Sequence, residues 1–312
     1  MGYRLTKEQC ATVVNNGATG LFEYCFKSNI HNVVTGSSGG VDSMVTLGIA
    51  ERACQIAKRN GFELTSVGVI APCQSKPKDE RLGRLAIEAF GAEEIFVPLT
   101  DAFLYMTEFS DSLIPKIDVQ IKEIMKKSVH KEKFNDNWDH SKLISQGNIK
   151  ARLRMIVNYY IASMMKGMVL STDNLSEYWM AFWTICGDVG DFGIIQQLLK
   201  GLELYDVARY LNGPEEIIKR APTDGLSITK SDAEQLGAEY PELDAIMIKL
   251  IQKMFFVDGG KDQLLNLPEI GHDSKIVSKL AKRCLNGSFK RKGTVVLSRE
   301  FLGLPTLNEI EL

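Results

Sequence analysis

Asn32-Val33-Val34-Thr35-Gly36-Ser37-Ser38-Gly39-Gly40-Val41-Asp42-Ser43 is the stretch that decides the fold. Val33 and Val34 read as a short buried strand, and residues 36–40 hold three glycines and two serines. From Asp42 onward Val45, Ile49, Ala53 and Ile56/Ala57 recur at helical spacing until Gly61 closes the run. A strand, a tight glycine turn and a helix leave successive backbone N–H groups and a helix N-terminus aimed at one point, which is an anion site. Glycine lets the main chain come close to an oxygen cluster and take positive φ. Ser37, Ser38 and Ser43 add hydroxyl donors, and Asp42 puts a carboxylate where a phosphate-bound Mg²⁺ would sit. No Gly-Lys-Ser/Thr follows the glycines, so this is not a Walker A loop, and the spacing is not that of a G-x-G-x-x-G turn.

Working outward, residues 6–29 read as an amphipathic helix or helix pair. Thr65–Ala71 is a second buried strand, Leu82–Phe90 a helix and Glu94–Leu99 a third strand. Strands alternating with helices at this spacing predict an α/β fold, a doubly wound, mostly parallel sheet with helices on both faces. Ligands of such sheets bind at the carboxyl ends of the strands, where the 36–40 loop lies. Between 101 and 147 the pattern loosens. The lysines from Lys122 to Lys133 read either as a solvated helix face or as a mobile segment bordering a polyanionic site. The longest helical run opens at Gln146 and ends at Gly167. Its apolar face is expected to be Leu153, Ile156, Val157, Tyr160, Ile161 and Met164, with Arg152 and Arg154 on different faces. Met168–Ser171 is a fourth strand, and Thr172-Asp-Asn-Leu-Ser-Glu177 caps the next helix. Gly187 to Asp191 is turn-rich. Ile194 to Leu211 is expected to be one helix containing Lys200, residues 231–256 are helical, and Phe289-Lys-Arg-Lys292 precedes a strand at Thr294–Ser298. No internal repeat or domain boundary is visible, so 1–312 reads as a single domain.

The composition restricts the function classes. Of the 312 residues, 45% are hydrophobic and 24% charged, enough for a sizeable core, and the net charge of −2 gives no global basic footprint for nucleic acid. The N-terminus lacks the apolar core of a signal peptide and no run of about 18 apolar residues exists, so the expectation is a cytoplasmic protein that meets no membrane. Six scattered cysteines without a C-x-x-C pair, and four histidines without H-E-x-x-H spacing, do not suggest zinc.

Ser38-Gly-Gly-x-Asp-Ser43 resembles the pyrophosphate loop of the N-type ATP pyrophosphatases, which split ATP between its α- and β-phosphates. Several families share it. Gly147-Asn-Ile-Lys-Ala-Arg-Leu-Arg-Met155, Ser171-Thr-Asp-Asn-Leu-Ser-Glu177 and Lys219-Arg-Ala-Pro-Thr-Asp-Gly-Leu226, in that order, resemble the ammonia-dependent NAD synthetases. The resemblance runs from about residue 10 to 300. It implies conversion of nicotinic acid adenine dinucleotide, ATP and ammonia into NAD, AMP and pyrophosphate. It further implies that Gly36, Ser37, Ser38, Gly39, Gly40, Val41, Asp42 and Ser43 hold the ATP phosphates. Asp42 and Glu177 would ligate Mg²⁺, Thr172 and Thr223 would contact ATP, and Lys200 would balance phosphate charge. Asp42, Lys200 and Thr223 would thus carry the catalysis, and Arg152, Asp191 and Lys290 would bind the dinucleotide. A homodimer is implied in the same way. With about 30 residues before the first strand, no fused glutamine amidase is expected, so ammonia would come free or from a partner.

Two departures fall on the dinucleotide side. Ile185 stands where many members carry a lysine, and the loop reads Gly187-Asp-Val-Gly-Asp-Phe192, with Asp191 one position early. The family's His-Lys pair reads Phe289-Lys290. The alternatives are a related enzyme that adenylates another acid or an RNA base, and a non-catalytic nucleotide-binding paralogue. A tRNA-thiolating enzyme usually needs a basic groove and a cysteine persulfide, neither of which the sequence supports. The pair Asp42 and Glu177 argues against a mere binder, which needs no two metal ligands.

Overall fold

The computed structural model describes residues 3–109, 112–128, 132, 136–187, 189–223, 225–226, 231–256, 264 and 267–293. Five strands form one parallel sheet: β1 (Asn32–Gly36), β2 (Thr65–Ile70), β3 (Glu93–Phe96), β4 (Met168–Ser171) and β5 (Phe192–Gly193). They lie in the order β3-β2-β1-β4-β5, so the topology switches direction between β1 and β4. Side chains alternate across the pleat. Val33 joins the core on one face and Val34 the core on the other. Because both faces are covered, β1 reads as an unbroken apolar pair.

The first face is covered by α1 (Lys7–Ser28), α2 (Val41–Arg59) and α3 (Pro77–Phe90). The α1 helix starts on a capping box in which the Thr6 hydroxyl accepts from Gln9 N at 3.2 Å while Gln9 Oε1 accepts from Thr6 N at 2.8 Å. Its neighbour α2 is buried almost all round, with Met44, Val45, Leu47, Ile49 and Ala50 at zero exposure, because it is the central helix of its layer. Each such large side chain contributes ~1.5–3 kcal/mol relative to staying in water. The opposite face is covered by α6 (Trp138–Met164), whose Ile161 and Ala162 pack on Val34, Val67 and Val169. Before it come α4 (Thr100–Thr107) and α5 (Leu113–Lys126). Beyond the sheet lie α7 (Leu175–Met180), a π turn at Lys200–Leu204 running into α8 (Tyr205–Tyr210), and α9 (Glu215–Ile218). Then follow α10 (Asp232–Leu236), α11 (Tyr240–Gln252), α12 (Ser274–Asn286) and the short α13 (Ser288–Arg291). Helices α7, α10, α11 and α12 share a second apolar core around Met180, Leu236, Leu243, Met247 and Leu280.

Several boundaries differ from the sequence reading. Helix α3 begins five residues before Leu82, on Pro77 at its first turn, where the missing N–H costs nothing. Helix α6 begins eight residues before Gln146. Its expected apolar face is only partly the buried one. Ile156, Tyr160 and Met164 are 64, 66 and 69% exposed, while Lys150, Ala151, Asn158, Ile161 and Ala162 are buried. The helix expected from Ile194 is instead turns up to Leu199, followed by the π turn. Residues 231–256 are two helices parted by Gly237 at φ +90°. Helix α7 is capped from within the expected 172–177 segment, by Asn174, whose side chain accepts from Glu177 N. Over 122–127 the lysines sit on α5, which has no buried residue, so that stretch is a solvated face. Lys131 and Lys133, like the expected strand Thr294–Ser298, lie outside the described residues.

Candidate active site

A cavity of about 250 Å³ opens at the carboxyl ends of β1, β2 and β4, beside the switch point. Its floor is the glycine-serine loop, which α3 holds down. Ser37 N donates to Val69 O at 2.8 Å and Ser37 Oγ to Gly83 O at 2.9 Å. Gly39 has φ +73°, and a Cβ there would stand 2.6 Å from Asp79 O, so only glycine fits. Ser43 Oγ donates to Gly40 O at 3.1 Å and lies 3.2 Å from Ser38 Oγ, closing the turn onto α2. Gly40, the N-cap of α2, offers no side-chain acceptor, so the first-turn N–H groups are left for a ligand.

A carboxylate cluster faces the floor. The Lys200 ammonium lies 2.9 Å from Asp42, 2.8 Å from Glu177 and 3.8 Å from Asp232, and 4.6 Å from the centre of the Tyr240 ring. Asn174 Nδ2 donates to Asp42 Oδ1 at 2.8 Å, and Tyr240 Oη donates to Glu177 and Asp232 at 3.2 and 3.0 Å. Burial alone would discharge Lys200, but Asp42 and then Glu177 hold its pKa well above the ordinary lysine range. The one ammonium cannot satisfy all its neighbours. Burial, reinforced by Asp42, keeps the Glu177 carboxyl above its usual range although Lys200 pulls the other way. Among the described residues no ready-made group of three or more metal-binding side chains is found.

Of the residues singled out in the sequence, Gly36, Ser37, Ser38, Gly40, Val41, Asp42, Thr172, Glu177, Lys200 and Thr223 line this cavity. Gly39 and Ser43 support the loop from behind. Arg152, Asp191 and Lys290 do not line it. Arg152 Nε donates to Ile185 O at 3.2 Å on the outer side of α6. Asp191 accepts from Tyr159 Oη at 2.7 Å and from Val169 N at 3.0 Å, tying β4 to α6. Lys290 donates to the carbonyls of Ala181 and Trp183 at 2.9 and 2.6 Å. With Arg291 over Tyr178 and Arg283 over Phe182, it fastens the C-terminal helices to the turn after α7.

Besides Asp232, three further polar residues of the cavity were not among the site residues singled out. Arg154 Nε donates to Ala71 O at 3.2 Å and its Nη2 to Ser75 Oγ at 3.3 Å, which turns the guanidinium to the cavity wall. Arg220 spans from Gly39 O at 2.9 Å to Asp79 Oδ1 at 2.6 Å and braces the loop. Asn158 approaches Gly36, where a Cβ would stand 3.1 Å from its amide nitrogen. Helical spacing held the signal for two of them. Ala151, Arg154, Met155 and Asn158 form one i, i+3, i+4, i+7 face, and all four line the cavity.

The parallel sheet with a glycine-serine phosphate-type loop at its switch point defines the class: an α/β protein of the N-type ATP pyrophosphatase fold. Solved structures agree on the fold. A Campylobacter jejuni NH3-dependent NAD synthetase superposes with TM-score 0.62 at 22% identity, covering 93% of this chain and 99% of the other. An NMN synthetase from Francisella tularensis superposes with TM-score 0.65 at 21% identity, covering 93% and 98%. The family model for NAD synthase matches residues 13–294, and the chain belongs to the NAD synthase family. An NH(3)-dependent NAD(+) synthetase of Mesoplasma florum is 32% identical over 223 residues, 71% of this chain and 78% of that protein. One from Methanocaldococcus jannaschii is 30% identical over 248 residues, 79% and 83%. Among the described residues no helix is long and apolar enough to cross a membrane.

Proposed function

We propose that this chain is an ammonia-dependent NAD synthetase, a ligase that forms a C–N bond at the cost of ATP. The observation that carries the reading is the convergence on one cavity of four stretches far apart in sequence: the 36–42 loop, Thr172 to Glu177, Lys200, and Arg220 to Thr223. A nicotinate carboxylate is a poor electrophile. One of its oxygens attacks the α-phosphorus of ATP and pyrophosphate leaves, giving an acyl-adenylate. Ammonia then adds to the acyl carbon, AMP departs with the carboxylate oxygen, and a proton is lost to give the amide. The protein's share is positioning and charge neutralisation. In this reading the loop N–H groups and serine hydroxyls bind the phosphates, Thr172 and Thr223 contact ATP, and Arg154 supplies a further cation at the wall.

Magnesium fits the donor set. Asp42, Glu177 and Asp232 outnumber the one ammonium they share, and hard carboxylates completed by substrate phosphates suit this ion. Asp42 and Glu177 would hold it, and when bound it would withdraw charge from the phosphate oxygens. A homodimer is proposed on the exposed apolar stripe Ile156, Tyr160 and Met164, one residue per turn of α6. Arg152 and Lys290 would reach the dinucleotide only from the rim, and Asp191 acts by tying β4 to α6. That placement favours a second reading in which the acid is a smaller pyridine nucleotide, nicotinic acid mononucleotide.

The test is chromatography of products after incubation with ATP, Mg²⁺ and ammonium, with either the dinucleotide or the mononucleotide acid in parallel tubes and glutamine replacing ammonium in a third. NAD and AMP together, with ammonium only, support the reading. Amidation of the mononucleotide alone moves the assignment to the second reading. No AMP in any tube overturns both.

A further inference from the structure

Lys200 reaches the carboxylates from an irregular piece of backbone, a π turn that begins on Lys200 itself. Three successive N–H groups lead into this turn, and each is held by a side chain. Leu199 N donates to Glu203 Oε2 at 2.9 Å, Lys200 N to Ser176 Oγ at 2.9 Å, and Gly201 N to Asp244 Oδ2 at 2.8 Å. Ser176 Oγ in turn donates to Asp244 Oδ1 at 2.5 Å. Asp244 stands on α11, in the second apolar core, with zero exposure. Its two oxygens therefore hold both peptide N–H groups that flank the Lys200 α-carbon, one directly and one through Ser176. The turn is also pressed onto α11. A Cβ on Gly201 would stand 2.4 Å from Pro241 N.

We infer that Asp244, acting through Ser176 and Gly201, is the positioning residue that aims Lys200 at Asp42 and Glu177. This rests on the proposed synthetase reading for its effect on turnover, though not for its geometry. A buried carboxylate that only capped a turn would stabilise the fold and leave Lys200 indifferent to its removal. A positioning carboxylate fixes where the ammonium stands, and a misplacement of about 1 Å there costs about 100-fold in rate.

The experiment compares Asp244→Ala, Asp244→Asn and Ser176→Ala in the full-length chain, with two readouts. Labelling of Lys200 by an amine-acetylating reagent, followed by peptide mass spectrometry, needs no turnover. Steady-state kinetics gives kcat and the KM for the dinucleotide separately. Asn can keep both contacts, its oxygen accepting from Gly201 N and its amide donating to Ser176 Oγ, whose proton turns elsewhere. The clamp therefore predicts that Asn stays within about threefold of the parent in both readouts. In Ala at 244, and in Ala at 176, Lys200 labelling should rise about tenfold or more and kcat fall about 10–100-fold, with KM within about threefold. Should Asp244→Ala fail to fold, the Asn and Ser176 variants carry the test. Folded Ala variants with the parent's Lys200 labelling overturn the inference, and so does an Asn variant as impaired as Ala, because charge and not hydrogen bonding would then matter. If the parent chain makes no NAD, the synthetase reading fails, while the labelling still decides the clamp.

Discussion

Replacing Lys200 by methionine tests the carboxylate cluster most sharply. Methionine nearly fills the lysine volume, so the change removes a cation and leaves little cavity. What remains is Asp42, Glu177 and Asp232, which had stood 2.9, 2.8 and 3.8 Å from one ammonium. Two carboxylates about 5 Å apart repel by about 3 kcal/mol at an effective dielectric of 20. Breaking one side of a buried ion pair typically costs about 3–5 kcal/mol. Both routes give a loss of several kcal/mol while the carboxylates are ionised. Glu177 already sits above its ordinary range through burial, and without Lys200 it rises further. A carboxyl whose folded pKa exceeds its unfolded value contributes stability that is whole below the unfolded pKa and is lost as pH rises through the folded one. The variant's deficit should therefore grow with pH. Urea unfolding followed by circular dichroism should show a loss of about 3–5 kcal/mol at pH 8.5, shrinking to about 1–2 kcal/mol at pH 5.5. A deficit independent of pH, or below about 1 kcal/mol at pH 8.5, would refute the reasoning.

Further outcomes follow from single contacts. Gly39→Ala forces a left-handed alanine 2.6 Å from Asp79 O. It should cost about 2–4 kcal/mol and lower the calorimetric Tm by about 5–10 °C, with the KM for ATP rising; an unchanged Tm would mean the loop is not pinned on α3. Burial, with Glu93 adding, raises the half-buried Glu51 carboxyl from 4.5 to about 7, so its contribution to stability is whole below 4.5 and lost towards pH 7. Glu51→Gln should then be the more stable form at pH 8, by about 1–2 kcal/mol once solvent screening is allowed for, with the gap vanishing near pH 4; a less stable glutamine variant at pH 8 contradicts this. Lys290→Met leaves the Ala181 and Trp183 carbonyls without their shared donor. The expected loss is about 1.5–3 kcal/mol, with faster tryptic cleavage after Lys279 and Lys282 in the loosened C-terminal helices; parent-like stability and cleavage would mean the contact holds nothing.

The parts of this fold that were legible in the sequence are those where one local rule suffices. Val33, Val34 and the glycines after them announce β1, the loop and α2 because strand burial, positive φ and helical periodicity act within a dozen residues. The cluster was half legible. Asp42, Glu177 and Lys200 could be named by resemblance, but their meeting depends on the order of β1 and β4 and on the turn at 200. That turn resisted because Ile195, Leu198, Leu199 and Leu202 mimic helical spacing, while the actual path is set by Asp244 on a distant helix. That Arg154, and not Arg152, lines this cavity was hidden for a similar reason. On α6 Leu153, Val157 and Ile161 pack inward while Ile156, Tyr160 and Met164 face outward, so apolar spacing marked a stripe wider than the buried one. Ala71 and Ser75, which hold Arg154 at the cavity wall, come from other elements.

The adenylation step is tested most directly by isotope transfer. Nicotinic acid adenine dinucleotide carrying ¹⁸O in both carboxylate oxygens would be turned over with unlabelled ATP and ammonium, and the products weighed by mass spectrometry. If the carboxylate attacks the α-phosphorus, each AMP formed carries one ¹⁸O, the amide keeps the other, and pyrophosphate carries none. Label in pyrophosphate or inorganic phosphate, or unlabelled AMP beside the amide product, would contradict the account.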